Sequence, residues 1–344
     1  MRSGRPKPLH LICGRPMVMH VLHSLTQVEV STTAIVVGHG GDRVSTKVAE
    51  QAPTSLGVTF VTQQVQRGTG DAVIVGMTAL HGDDVDDDST VLVLPGDTPL
   101  LRAETIRSLV DSHEAEGYGA TLLTARMADA SGYGRVLRDK HGRVARIVEH
   151  KDASDAERAI DEINTGIFAF RRDLLGPALR KLSPDNRQGE YYLTDVVQLL
   201  HDAGYAIGSV VIDDQAEVQG VNDRYQLAMA ERELRARTNR RWMLAGVTMF
   251  DPRQTFIDVT VTLGHDVTLY PGTILQGGTI IGNGCDIGPD TRLVDCTVED
   301  NAVIENTVAR NAVVGSHAQV GPFASLSEGS KVPPMAVTGA FYSA

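Results

Sequence analysis

Between residue 17 and about residue 215, short apolar runs alternate with stretches whose apolar positions recur at helical spacing. The runs Ala34 to Val37, Val58 to Thr62, Val91 to Leu94, Ala120 to Thr124 and Ile163 to Phe170 predict buried strands. Met17 to Leu25, Asp42 to Gln51, Gly70 to Leu80, Ala103 to Glu116, Arg172 to Lys181 and Tyr192 to Ala203 predict the helices between them. This alternation predicts an α/β domain, a mostly parallel sheet with helices on its faces. Ligands gather at the carboxyl ends of strands in such sheets, so the loops after Val37, Thr62 and Leu94 are where chemistry is expected. A further helical run, Arg224 to Leu244, can align Leu227, Leu234 and Trp242 on one stripe and reads as a connector.

From residue 257 the pattern changes. An aliphatic side chain returns every six positions at Ile257, Leu263, Leu269, Leu275, Ile281, Ile287 and Leu293, and after an interruption at Val308, Val314, Val320, Leu326 and Val332. Period six marks a parallel β-helix, with three hexads to a triangular coil and about four coils in all. The Gly, Asn and Asp residues in this stretch read as corner chemistry rather than as ligands. The predicted boundaries are therefore 1–222 for the α/β domain, 223–245 for the linker helix and 246–344 for the β-helix. Residues 333–344 leave the repeat, so the open apolar end is expected to be covered by a neighbouring subunit or by further chain.

Charge and composition exclude several functions. Among 344 residues, 32 Lys and Arg stand against 43 Asp and Glu, a formal net charge of −11, which rules out a general affinity for nucleic acid. The one dense basic run, Arg232 to Arg241, adjoins Glu231 and Glu233 and reads as a solvated helix face. Three cysteines without a Cys-x-x-Cys pair imply neither a disulfide framework nor a zinc knuckle, and suit a reducing cytoplasm. No window approaches the roughly 18 apolar residues of a membrane span. Arg2, Arg5 and Lys7 before Leu9 to Cys13 imitate a secretion signal, but His10, Gly14, Arg15 and Pro16 break its apolar core.

Two loops carry the strongest chemical pattern. Leu-Pro-Gly-Asp-Thr-Pro-Leu at 94–100 places Asp97 at the end of a buried strand, where a carboxylate faces the ligand crevice and can serve a metal. Asp97 fits equally well as a cap for the helix beginning near Ala103. Gln-Gln-Val-Gln-Arg-Gly-Thr-Gly at 63–70 offers amides, a backbone open to close approach and a helix N-terminus suited to negative charge. Further segments follow in order: Gly-Tyr-Gly-Arg at 132–135, Val-Glu-His-Lys-Asp at 148–152, Glu-Ile-Asn-Thr-Gly at 162–166, Gly-Glu-Tyr-Tyr-Leu-Thr-Asp at 189–195 and Gly-Val-Asn-Asp-Arg at 220–224.

With these motifs the chain resembles, over residues 1 to about 324, the bifunctional bacterial enzymes that make UDP-N-acetylglucosamine, an N-acetylglucosamine-1-phosphate uridyltransferase joined to a glucosamine-1-phosphate acetyltransferase. The resemblance implies a Rossmann-like sugar nucleotidyltransferase domain followed by a left-handed parallel β-helix of hexapeptide repeats that trimerises. It implies Lys7 on phosphate, Gln63, Gly68 and Thr69 around uracil, and Asp97 and Asn222 as ligands of Mg²⁺. It assigns Gly134, Glu149, Asn164 and Thr194, with Asn222, to the sugar phosphate, and makes UTP and N-acetylglucosamine 1-phosphate the substrates. The sugar phosphate oxygen would attack the α-phosphorus of UTP and expel pyrophosphate, with Lys7 and Asp97 as the catalytic pair.

The sequence also departs from that family. The family's first strand and Leu-Ala-Ala-Gly-x-Gly-Thr-Arg-Met loop would stand before Arg2, and only the final Met is present, so this chain is expected to bind UTP poorly. Pro95 replaces the usual Tyr, and Gly-Pro-Phe-Ala-Ser-Leu-Ser-Glu-Gly at 321–329 lacks both arginines of the matching family segment. No acetyl transfer is expected from this chain. Two other functions remain open: a nucleotidyltransferase for another base or sugar 1-phosphate, and a non-catalytic trimeric β-helix scaffold.

Overall fold

The computed structural model describes residues 1–38, 40–80 and 89–344. The chain forms two compact units, Met1–His10 with Met17–Asp223, and Leu11–Pro16 with Arg224–Ala344.

The first unit is a helix/sheet/helix sandwich, and two of its strands show why. Leu122 and Leu123 are neighbours on strand Ala120–Arg126, both fully buried, yet Leu122 joins one core and Leu123 the other. Strand Glu162–Arg171 divides likewise, sending Ile163, Ile167 and Ala169 to one face and Phe168 and Phe170 to the opposite one. Alternating side chains fill both faces of the sheet, and the strands read as continuous apolar runs because both faces are covered. Helices Met17–Leu25, Asp42–Gln51 and Ala103–Glu116 cover the first core through Leu22, Val48 and Leu109. Helices Arg172–Leu179 and Asp195–Asp202 cover the second through Leu175, Val196 and Val197.

The sheet is less parallel than the pattern predicts. Strands Ala120–Arg126 and Ile207–Ile212 pair parallel within it, and Thr33–Val37 and Val58–Thr62 form a separate two-stranded parallel sheet. Strand Glu162–Arg171, however, lies antiparallel to both Thr90–Val93 and Ala120–Arg126. Between Ala120–Arg126 and Glu162–Arg171 the chain makes a hairpin, Arg135–Arg138 with Val144–Val148, and a four-residue helix, Asp155–Arg158. That excursion brings the chain back at the end of the sheet it left, so the returning strand runs the opposite way. Asp139 shapes the hairpin turn, its Oδ1 accepting from the backbone N–H of His141 and Arg143 at 2.8 and 3.0 Å.

In the second unit, three five-stranded parallel sheets run from Thr248–Met249, Phe256–Ile257 and Thr262–Leu263 to Gln319–Val320, Ser325–Leu326 and Lys331–Val332. Each coil uses one strand from each sheet, so the solenoid has five turns where the hexads predict about four. The hexad spacing omits three of the fifteen strands: Thr248–Met249, set off from the next by the 3-10 turn Pro252–Gln254, and Thr297–Val298 and Val303–Ile304, which fill the interruption between Leu293 and Val308. The hexad aliphatics stack inside, with Leu269, Leu275, Ile287 and Leu293 fully buried. One register assignment is corrected: Val308 is 58% exposed and its neighbour Ala309 is buried instead. Inward residues there run Val298, Ile304, Ala309 and Val314, so two sides of the coil contain five residues rather than six.

The corners explain the Asp and Asn content. Asp290, Asp295, Asn301, Asn306 and Asn311 all adopt the left-handed conformation, with φ between 43° and 59°. Buried Thr273, Thr279 and Thr307 satisfy their hydroxyls on the carbonyls of Tyr270, Gln276 and Glu305. Helix Arg224–Leu244 is tied to the first coil by fully buried Asn239, whose Nδ2 donates to the carbonyls of Pro252 and Thr255 at 2.7 and 2.9 Å. Among the described residues, no helix is long and apolar enough to cross a membrane.

Candidate active site

Three distant segments of the first unit meet at one ammonium group. A 3-10 turn at Lys7–Leu9, with Pro6 and Pro8 limiting its backbone, presents Lys7. The loop after strand Thr90–Val93 presents Asp97, and the segment after the 3-10 turn Gln215–Val218 presents Asn222. The Lys7 Nζ donates to Asp97 Oδ2 at 2.5 Å and to Asn222 Oδ1 at 2.7 Å. The two oxygens are held together independently of Lys7, because the N–H of Val221 donates to the carbonyl of Asp97 at 3.0 Å.

This placement removes the helix-cap reading of Asp97. Helix Ala103–Glu116 has Arg102, not Asp97, at its N-cap, and the free N–H of Arg102 is taken by Glu217 Oε2 at 3.1 Å. A carboxylate oxygen and an amide oxygen already converging on a cation suit Mg²⁺, which takes hard oxygen donors and draws its other ligands from water and substrate phosphates. Among the described residues no set of three or more His, Cys, Asp or Glu gathers into a metal cluster. Tyr133 also faces this point: burial, and next the Asp97 carboxylate, push its phenol up from the ordinary range. Pattern alone missed Tyr133, although it lies inside the Gly-Tyr-Gly-Arg motif.

The 63–70 loop forms a second cluster. Gln63, at the end of strand Val58–Thr62, is buried, and its Nε2 donates to Asp71 Oδ2 at 2.8 Å and to the Gly68 carbonyl at 3.3 Å. Asp71, also missed by pattern, pairs in turn with Arg67 at 3.1 Å. Gly68 has φ of +109°, and a β-carbon there would lie 2.6 Å from the Tyr191 carbonyl. Only glycine fits both conditions. Thr69 opens helix Thr69–Met77, and its hydroxyl accepts from the N–H of Leu193 at 3.1 Å. Two backbone bonds, Tyr191 N–H to the Arg67 carbonyl at 2.7 Å and Gly70 N–H to the Tyr191 carbonyl at 2.8 Å, join this loop to residues 190–193.

A third cluster gathers Gly134, Glu149, Asn164 and Thr194. Asn164 N–H donates to the Gly134 carbonyl at 2.9 Å, and Thr194 Oγ1 donates to Glu149 Oε1 at 3.1 Å. A β-carbon on Gly134 would sit 3.0 Å from Ile147 and 3.5 Å from Glu149 Oε2. Burial raises the Glu149 carboxyl above its usual range against the lowering effect of the Thr194 bond, with Asp195, Asp152 and Glu190 adding repulsion. Asp152 anchors the neighbouring loop by accepting from Arg187 N–H at 3.1 Å and Tyr192 O–H at 3.2 Å. The structure thus brings the ten sequence-predicted residues into three polar clusters of one unit.

Comparison with known proteins places the chain in a family. The nucleotidyl transferase family matches residues 2–243. The bifunctional protein GlmU of Streptomyces avermitilis is 48% identical over 342 residues, covering 99% of this chain and 70% of that protein. The chain belongs to the GlmU family. GlmU of Streptomyces coelicolor is 47% identical over 345 residues, and that of Thermobifida fusca 46% over 362, with 100% and 98% of this chain and 70% and 74% of those proteins covered. A crystal structure of UDP-glucose pyrophosphorylase complexed with UDP-glucose matches with a TM-score of 0.55 over 67% of this chain and 91% of that one. At 12% identity that likeness concerns the fold alone. As a GlmU-family member, the chain carries a nucleotidyl transferase domain joined to a parallel β-solenoid of the left-handed β-helix class.

Proposed function

We propose that the first unit transfers a uridylyl group from UTP to N-acetylglucosamine 1-phosphate, releasing pyrophosphate and making UDP-N-acetylglucosamine for cell-wall precursor synthesis in the cytoplasm. The observation that carries this reading is the convergence of Asp97 Oδ2 and Asn222 Oδ1 on one cation, at 2.5 and 2.7 Å, within a nucleotidyl transferase domain. Bound Mg²⁺ would neutralise phosphate charge as the α-phosphorus is attacked. Asp97 and Asn222 would hold it, and Lys7 would meet the phosphates with a further positive charge. Gln63, Gly68 and Thr69 would seat the base, Gly68 by letting it approach bare backbone. Gly134, Glu149, Asn164 and Thr194 would orient the sugar phosphate. No side chain need form a covalent bond, because the work is positioning and charge stabilisation. The solenoid would assemble three copies of the chain.

Pyrophosphate release measured with UTP, dTTP, ATP and GTP against several sugar 1-phosphates tests the reading. UTP with N-acetylglucosamine 1-phosphate should be the preferred pair, and Asp97→Asn should lower turnover about a hundredfold or more. Equal use of all four nucleotides would point to a different nucleotidyl transfer, and an Asp97→Asn rate near that of the parent would remove Asp97 from the metal site.

A further inference from the structure

The ammonium of Lys7 sits where a divalent cation held by Asp97 and Asn222 would have to sit. One positive group bridges both oxygens, at 2.5 and 2.7 Å, and reaches them from segments 90 and 215 residues away in sequence. We propose that Lys7 and the divalent cation occupy this position in turn. Lys7 neutralises Asp97 and keeps the two oxygens aimed at a common point, and the metal displaces the ammonium toward the substrate phosphates. This inference rests on the metal reading above and adds a competitor to it.

Three features support an exchange over a fixed ion pair. Charge forbids joint occupancy: an ammonium and a divalent cation sharing the same two oxygens would repel each other at contact distance in a site only about one-third exposed, with 34% for the Lys7 side chain and 27% for that of Asp97. The side chain can also leave. Lysine is a compact charge on a flexible four-carbon stem, without the planar fork that would fasten an arginine to the carboxylate. Finally, the oxygens do not depend on Lys7 for their placement, because the Val221 N–H bond to the Asp97 carbonyl ties the two segments together at 3.0 Å. The site can therefore release its ammonium without coming apart. The freed charge would then be delivered to the phosphates only once a metal is bound, linking the two electrostatic contributions in a fixed order.

Binding of Mn²⁺ to the full chain, followed by the electron paramagnetic resonance signal of the free ion without any substrate, tests this. Lys7→Met removes the competitor and should tighten Mn²⁺ binding about tenfold or more, since the metal no longer has to break an ion pair. Lys7→Gln should shift affinity the same way and guards against a folding defect in the first variant. Lys7→Arg, which retains a cation, should show no tightening. Parental or weaker affinity in both Lys7→Met and Lys7→Gln, with binding still abolished by Asp97→Asn, would overturn the exchange and leave the metal site standing. Mn²⁺ binding that survives Asp97→Asn unchanged would instead overturn the metal reading on which it depends.

Discussion

Glu149 shows what the burial of one carboxyl does to stability. Its carboxyl is raised by burial, so the folded chain holds that proton more tightly than the unfolded chain does. Folding stability from this group is therefore complete below the ordinary carboxyl value of 4.5 and declines as pH rises through the raised one. Glu149→Gln has no proton to lose, so it should be the more stable protein at neutral pH, with the gap closing below about pH 4. Urea unfolding at a series of pH values would measure this. The same variant loses a charged acceptor from the cluster proposed for the sugar phosphate and, on that proposal, should raise the KM for the sugar phosphate about tenfold or more. The motif marked this residue in advance, but its raised proton affinity comes first from the burial that folding imposes and then from Asp195, Asp152 and Glu190 around it. Tyr133 and Asp71 were invisible for the same reason, because their partners Asp97 and Gln63 meet them through space.

At the scale of elements, the clearest case is the loop that opens helix Thr69–Met77. Gly68 stands at φ +109° against the Tyr191 carbonyl, so Gly68→Ala must push apart the backbone bridge between residues 67–70 and 190–193. We expect a higher KM for the nucleotide with unchanged helix content by circular dichroism, because the strain is local. The Gly-Thr-Gly pattern announced a special turn, and only the fold showed which neighbour makes glycine obligatory. The solenoid corners behave similarly. Asn301 has φ of +59°, and Asn301→Val should cost about 1–2 kcal/mol where Asn301→Gly costs little, as chemical denaturation would show. Helix and strand positions followed from periodicity in most places. Strands Arg135–Arg138, Val144–Val148 and Ile207–Ile212 did not, since the first two form a hairpin whose short runs mix charged and apolar residues. Inside the solenoid, the exchange of Val308 for Ala309 reflects a five-residue side, which no fixed period of six can anticipate.

Across the whole molecule, two kinds of core coexist in one chain. The first unit buries separate clusters on the two faces of a sheet, and the second stacks one continuous column of aliphatic side chains. A column depends on each coil meeting the next, so a cavity in its middle should be felt along it. Ile287 is fully buried there, and Ile287→Ala should destabilise the solenoid by about 2–5 kcal/mol in equilibrium denaturation. If the solenoid assembles three copies, light scattering on the parent chain should give three times its chain mass.

The amino-acid sequence determined the two grammars, the helices and central strands, the hexad column and the ordered motifs that carry the family resemblance. These are local or periodic properties, written in the spacing of side chains along one backbone. The antiparallel course of strand Glu162–Arg171, the fifth coil and the shared ammonium of Lys7 were decided only by the tertiary structure. Each depends on groups far apart in sequence arriving at one place, and spacing along the chain carries no record of that distance.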